Sequence, residues 1–354
     1  MLDSRKKDIN WINAVKAICM ISVYFVHSQL YYGLWMGKLN NLIHPFYVNA
    51  FFFISGYLLF GKQLSSSIVN LNLNAYIDRG GAGRKLLSNI FFRVIVPSIL
   101  FSILEFLPKK IIRGENLNFS SFIWETFGGG TYWFTSALVV AELIILFLLM
   151  TRFRSVWCYI IVSIAIFYLA NNLVKIETNA LDNKFDFWYY KQGLLAVPLL
   201  ALGGGYKIYE SLIHRFMNPY VLICMSAIYL LYFYFCGDNI PVLVSVLNID
   251  FIGLFSAIYI SVILIELAKY LPKISYLTFI GQKSLAFYFM SGALPLLFSM
   301  LLKNFFSFPS FFGLIVVFIL SLQVAYVITY LLDKFTPWLF DIRIMLKKNN
   351  KSIS

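Results

Sequence analysis

Residues 9–32 read INWINAVKAICMISVYFVHSQLYY. A helix crosses a bilayer with about 20 apolar residues at about 1.5 Å each, so this run is long enough to span. It nevertheless carries Lys16 and His27. Ionisable side chains are costly in hydrocarbon and mark functional sites. The eleven steps between them turn the helix through about 1100°, roughly 20° past three full turns. The two side chains therefore share one face, about 16 Å apart. Taken singly, Lys16 also reads as a chain snorkelling to the near interface, and His27 as a polar residue close to the far one. Taken together they form a polar stripe along an apolar helix. His is the side chain best suited to take a proton from a hydroxyl near neutral pH.

The rest of the chain has the same character. Of 354 residues 60% are hydrophobic, 19% aromatic and only 13% charged, where a soluble domain has about a quarter charged. Apolar segments recur at residues 10–32, 44–61, 89–107, 132–150, 155–174, 192–210, 219–236, 249–268, 277–301 and 311–332. The expected fold is all-α, a polytopic membrane helix bundle of about ten transmembrane helices. An even number puts both termini on one side. Lys and Arg gather there (Arg5, Lys6, Lys7; Lys62, Arg79, Arg84, Lys85; Lys334, Arg343, Lys347, Lys348, Lys351), which predicts that both termini are cytoplasmic. The net charge of +13 is thus a topology signal and does not call for nucleic acid as a partner. Residues 1–340 are expected to form one integral-membrane domain and 341–354 a short basic cytoplasmic tail. The first apolar segment is too long for a signal peptide and lacks a small-residue cleavage site. Cys19, Cys158, Cys224 and Cys236 are scattered, so neither a metal site nor a disulfide is expected.

Several further features carry chemistry. HPFYVNAFFFISGYLLFGK (44–62) contains the small pair Ser55 and Gly56, which allows close helix packing and would bring this segment against the first. Ser55 as a nucleophile lacks the spacing of a triad. FFRVIVP holds Arg93 just before Pro97, and GGGTYWF (128–134) opens the fourth segment with Trp133. Glu105 and Glu142 should face the interior and pair with cations, whether for chemistry or as structural ion pairs. RGGAGRK (79–85) lacks the spacing of a phosphate-binding loop. It reads as a flexible basic loop, or as a docking site for a phosphorylated donor through Arg84 and Lys85. FDFWYYK (185–191) suits an interfacial aromatic belt or a platform for sugar rings.

The ordered set of motifs resembles the membrane acyltransferase-3 family, integral-membrane O-acyltransferases that modify surface glycans. Lys16 and His27, ten residues between them, match its basic residue and His on the first helix. Phe51, Phe52, Phe53, Ser55, Gly56, Tyr57, Leu58 and Leu59 match its aromatic run ending in Ser-Gly-aromatic-Leu-Leu. Arg93 with Pro97, Trp133 with Phe134, and Gly281, Ser284, Leu285 and Tyr288 complete the pattern over almost the whole chain. The departures are Lys16, where Arg is commoner and offers a bidentate fork, and Thr131 and Ser291, where relatives often have His. The paired Arg pattern before the third segment is reduced to Arg93.

The resemblance implies a bacterial inner-membrane O-acyltransferase with no permanently bound cofactor. Acetyl-CoA, or another acyl-CoA, would be the donor, and a glycan or lipid-linked saccharide the acceptor. His27 would act as general base with Lys16 as its partner. Arg93, Arg84 and Lys85 would hold donor phosphates. Ser55, Trp133, Glu142 and Glu105 are substrate-site candidates. A transporter or flippase for a glycan or lipid-linked sugar would use the same charges to line a passage. A non-catalytic scaffold would leave Lys16, His27, Arg93 and Glu142 without a role.

Overall fold

A computed structural model describes residues 10–60, 82–150, 156–178, 186–303 and 310–344. Those residues are helical almost throughout. The helices are α1 (Asn10–Tyr32), α2 (Gly37–Ile43), α3 (Asn49–Leu59), α4 (Ala82–Ile90), α5 (Val96–Arg113), α6 (Phe119–Phe127), α7 (Trp133–Met150), α8 (Val156–Thr178), α9 (Tyr190–Phe216), α10 (Pro219–Cys236), α11 (Phe251–Tyr270), α12 (Ser275–Gln282), α13 (Ser284–Met290), α14 (Ala293–Lys303) and α15 (Phe311–Phe335). A π-turn, Phe91–Ile95, joins α4 to α5. Two short antiparallel strands, β1 (Val242–Leu243) and β2 (Asn248–Ile249), pair Val242 with Ile249.

Each of the ten expected segments is helical over most of its length, but the count of spans is lower. Among the described residues, six helices are long and apolar enough to cross a membrane: α1, the continuous helix Leu86–Arg113, α8, α10, α11 and α15. The pair α13 and α14, bent by 42°, makes a seventh. The others fall short for local reasons. Residues 44–48 are turns, which leaves α3 only 11 residues. α7 starts only after a glycine-rich break. α9 carries Lys191, Lys207, Glu210, His214 and Arg215 along its length.

The helices group into two compact units. The first comprises Met1–Phe51, Leu212–Asn239 and Ser256–Tyr326, and the second Phe52–Ser211, Ile240–Phe255 and Val327–Ser354. In the first unit α1 runs parallel to α12, α13 and α14. A Cβ on Gly281 would overlap the Asn13 carbonyl, so only glycine lets α12 approach α1 this closely. Further along, the Tyr24 hydroxyl donates to the Phe287 carbonyl at 2.9 Å. α1 ends at Gly33, φ +84°, a left-handed position suited to glycine. Lys303 Nζ caps the Tyr31 carbonyl at 2.8 Å. The following loop is fastened by buried Gln29 and Asn40, whose amides bond each other at 2.9 and 2.8 Å.

In the second unit α3 crosses α9 backbone to backbone. A Cβ on Gly56 would overlap the Leu200 carbonyl, and one on Gly203 the Phe53 carbonyl. The sequence predicts that the Ser55-Gly56 pair seats against the first helix. The helix met at Gly56 is instead α9, because α9 supplies its own small residues, Gly203 and Gly204, at the crossing. α5 and α6 form a hairpin clamped by Lys110, 2.6 Å from Glu115 and 2.8 Å from Glu125. Residues 128–132 then break the helical path before α7 begins. Ser98 Oγ lies 3.2 Å from Thr135 Oγ1, so this break sits beside the middle of the Leu86–Arg113 helix.

Candidate active site

His27 lies half-buried on α1, edge-on to the Tyr31 ring at 6.0 Å. Its Nδ1 is 2.8 Å from the Ser291 carbonyl oxygen. A carbonyl only accepts, so Nδ1 carries the hydrogen, and in the neutral ring Nε2 keeps the lone pair. That is the tautomer of a general base. The local sequence explains why this carbonyl is available. In an unbroken helix it would accept from the amide of residue 295, but that residue is Pro295 and has no N–H. The chain bends here, between α13 and α14, and the released carbonyl holds the imidazole. Backbone groups freed by a proline are re-satisfied by neighbouring helices in this way.

Lys16 is half-buried on α1, and helical geometry puts it on the face of His27 three turns away. Gly281, which admits α12 at Asn13, lies one turn before it. The first unit also contains a cluster that sequence patterning does not reveal. Glu266 on α11 is fully buried and accepts from His214 Nδ1 at 2.7 Å and Lys269 Nζ at 3.0 Å. Lys269 Nζ in turn sits 5.7 Å from the Trp11 ring centroid.

The remaining candidates belong to the second unit. Arg93 sits in the π-turn because Pro97 cannot donate to the Arg93 carbonyl, and the ladder slips so that the Val96 amide bonds Phe91. Its guanidinium is half-exposed, with Nε 3.8 Å from Asp341 Oδ2. Asp341 is gripped in bidentate fashion by Arg343, Nε to Oδ1 at 2.8 Å and Nη2 to Oδ2 at 2.7 Å. Arg343 Nη1 also donates to Asn89 Oδ1 at 3.0 Å. Two guanidiniums thus share one carboxylate, leaving net positive charge. The hydrogen bonds from Arg343, helped by Arg93, hold the Asp341 carboxyl below its usual range. Sequence alone singles out Arg93 but not Asn89, Asp341 or Arg343, which come together only in the fold. The side chains of Arg84 and Lys85 lie outside the described residues.

Ser55 is half-buried on α3, next to the crossing at Gly56. One residue further, the Tyr57 hydroxyl donates to Glu210 Oε2 at 2.7 Å, and Lys207 Nζ lies 2.6 Å from the Tyr57 oxygen. The visible signal for this cluster is the Lys207/Glu210 pair, two charges three residues apart in an apolar segment. Lys109, one turn along α5, attracts the Glu105 carboxylate, but Glu105 Oε2 is buried without a hydrogen-bond partner. Glu142 does not follow the expectation of a cation partner. It is half-buried on α7, and no ion pair to it is found among the described residues.

Trp133 opens α7, its ring 6.1 Å from Phe134 and 6.5 Å from Tyr189. The segment before it is tied to the 186–190 turn. Trp188 Nε1 donates to the Phe127 carbonyl at 2.8 Å, and the Trp188 amide to Gly128 at 3.0 Å. Trp188 and Tyr189 have φ of 57° and 50°, a strained conformation for bulky residues. Beneath this turn lies a small cavity of about 20 Å³, room for about one water molecule. Ser98, Ser102, Thr126, Thr135 and Ser136 line it together with Ile95, Ile99 and Val139, and its surface is mostly apolar.

These features define a multi-pass helical membrane protein that presents an oriented imidazole on its first helix. A family model described as an acyltransferase domain matches residues 9–330, and the chain belongs to the membrane acyltransferase-3 family. No curated protein and no solved structure matches the chain. Family membership makes it a membrane acyltransferase, which works in a bilayer on an acceptor substrate.

Proposed function

We propose that the protein moves a short acyl group, acetyl in the simplest case, from acyl-CoA to a hydroxyl of a cell-surface or exported glycan at the bacterial inner membrane. The observation that carries this reading is the 2.8 Å bond from His27 Nδ1 to the Ser291 carbonyl, which leaves Nε2 as the basic nitrogen. Nε2 takes the proton of the acceptor hydroxyl as its oxygen attacks the thioester carbonyl. A C–O bond forms and the C–S bond breaks. The imidazolium returns the proton to the departing thiolate, so the enzyme ends as it began. The Arg93 and Arg343 guanidiniums supply the fixed positive charge that donor phosphates require. Lys16 places a cation on the His27 face of α1.

The test is transfer of labelled acetyl from acetyl-CoA to extracted glycan by the purified full-length protein. General-base catalysis contributes about 10²–10⁴-fold, so His27→Ala should lower kcat by that order with the protein still folded. Unchanged turnover would remove His27 from the mechanism. Movement of glycan across vesicles without acyl transfer would favour a transporter.

A further inference from the structure

We infer that Tyr31 is a second catalytic residue beside His27: its hydroxyl donates the hydrogen bond that holds the oxyanion formed when the acceptor oxygen adds to the thioester carbonyl. This deepens the acyl-transfer reading and rests on it for the nature of that oxyanion.

The chemistry creates the demand. As the acceptor hydroxyl gives its proton to His27 Nε2, its oxygen bonds to the carbonyl carbon and the C=O π pair moves onto the carbonyl oxygen. When the carbonyl re-forms, the C–S bond breaks and the thiolate takes the proton from the imidazolium. Between those events a negative charge sits on one oxygen, and a donor already fixed in place stabilises it without reorganising. Lys16 stands about 16 Å from His27 along α1, three turns away and too far to meet the same reacting carbon.

Tyr31 is in position. It follows His27 by four residues on α1 and so shares its face one turn on. The two rings lie 6.0 Å apart and nearly perpendicular, at 85°. At that separation one reacting carbonyl can be reached by both groups. The α13–α14 bend backs both side chains. The Ser291 carbonyl holds His27 Nδ1 at 2.8 Å, and the next residue, half-buried Gly292, faces the Tyr31 hydroxyl. A Cβ on Gly292 would lie 3.9 Å from Tyr31 Oη, with no other atom beyond its own stretch of chain within 4 Å. The hydroxyl therefore borders open space at the residue next to the one that orients the imidazole.

The hydroxyl is also uncommitted. No group bonds it among the described residues, whereas Tyr24, two turns earlier on the same helix, gives its hydroxyl to the Phe287 carbonyl at 2.9 Å. The residue is nonetheless held still. Lys303 Nζ caps its carbonyl at 2.8 Å, and the amides of Gln29 and Asn40 pin the loop that follows. A phenol fixed in this way is a preorganised donor.

The experiment measures labelled acetyl transfer from acetyl-CoA to extracted glycan by the full-length protein in detergent. Tyr31→Phe keeps the ring and removes only the hydroxyl. It should lower kcat by about 10²–10³-fold, the usual loss for one oxyanion donor, and leave both KM values and the unfolding midpoint unchanged. Tyr32→Phe is the control, since that hydroxyl is turned toward Gly313 instead, and should keep wild-type turnover. Gly292→Ala should also lower kcat in a folded protein, because its methyl takes the open space and meets the phenol only at van der Waals distance. A loss in Tyr31→Phe smaller than about tenfold would overturn the assignment. So would a raised acceptor KM at unchanged kcat, which would give the hydroxyl to ground-state binding, or a Gly292→Ala variant as fast as wild type, which would put the reacting carbonyl elsewhere. Absence of transfer by wild type would sink the acyl-transfer reading itself, and the role of Tyr31 with it.

Discussion

At the residue scale the catalytic proposal depends on a backbone atom. His27 can be found in sequence, because an imidazole stands out in an apolar run. Its orienting partner cannot, because Ser291 acts through its carbonyl and any residue there has one. The legible trace is Pro295, four residues on, which removes the amide that would otherwise occupy that oxygen. Pro295→Ala should therefore restore a competing donor. The α13–α14 bend should relax, His27 should lose its orienting bond, and kcat should fall, by at most the roughly 10²–10⁴-fold that a general base contributes. Steady-state kinetics check this, with an unchanged acyl-CoA KM distinguishing loss of orientation from loss of donor binding. Asp341 gives a second residue-scale prediction. Its carboxyl is held below the usual range by Arg343 and Arg93. A lowered folded-state pKa gives stability that is fully present above the unfolded value of about 3.9 and lost as pH falls through the folded value. Wild type should exceed Asp341→Asn in stability at neutral pH, and the gap should close as the solution is taken below about pH 4. Denaturant titrations across that range measure it. Asp341→Asn should also tighten CoA binding, since it frees both guanidiniums.

At the element scale, glycines decide which helices touch. Gly56 and Gly203 let α3 and α9 cross with carbonyls against Cα atoms, and Gly281 does the same for α12 on α1. That such positions are small is plain from the sequence; which helix lies opposite is not, and this is why α9 rather than α1 meets Gly56. Overpacking costs about 1–3 kcal/mol, and here the obstacle is backbone, which cannot rotate away. Gly203→Ala should lower the unfolding midpoint of the detergent-solubilised protein, whereas Gly37→Ala, where nothing lies within 4 Å, should leave it in place. The ten expected spans exceed the six or seven found among the described residues for a related reason. Hydropathy averages over apolar residues and is insensitive to the breaks that shorten a helix, such as the turns at 44–48 and the glycines at 128–130. Those breaks are local backbone events.

At the scale of the whole molecule, the proposed reaction would take its direction from the polar stripe on α1. Lys16 lies toward the N-terminal end of α1 and His27 toward its C-terminal end, and the basic residues Arg5, Lys6 and Lys7 precede the helix. Positive charge is retained in the cytoplasm, where acyl-CoA would be made. Acyl-CoA carries several phosphate charges and cannot cross hydrocarbon unaided, so on the proposed reading it would enter from the side that bears those residues, and the acceptor hydroxyl would meet His27 from the other direction along the helix. The prediction is made on proteoliposomes containing the protein with a cysteine added ahead of residue 5 and no acyl-CoA inside. An impermeant maleimide reports what fraction of molecules exposes that cysteine outward. The rate of acyl transfer with external acetyl-CoA should scale with that fraction and fall to background when those molecules are inactivated by His27→Ala. A rate that instead follows the fraction with the cysteine sealed inside would reverse the assigned sidedness and place donor entry at the His27 end.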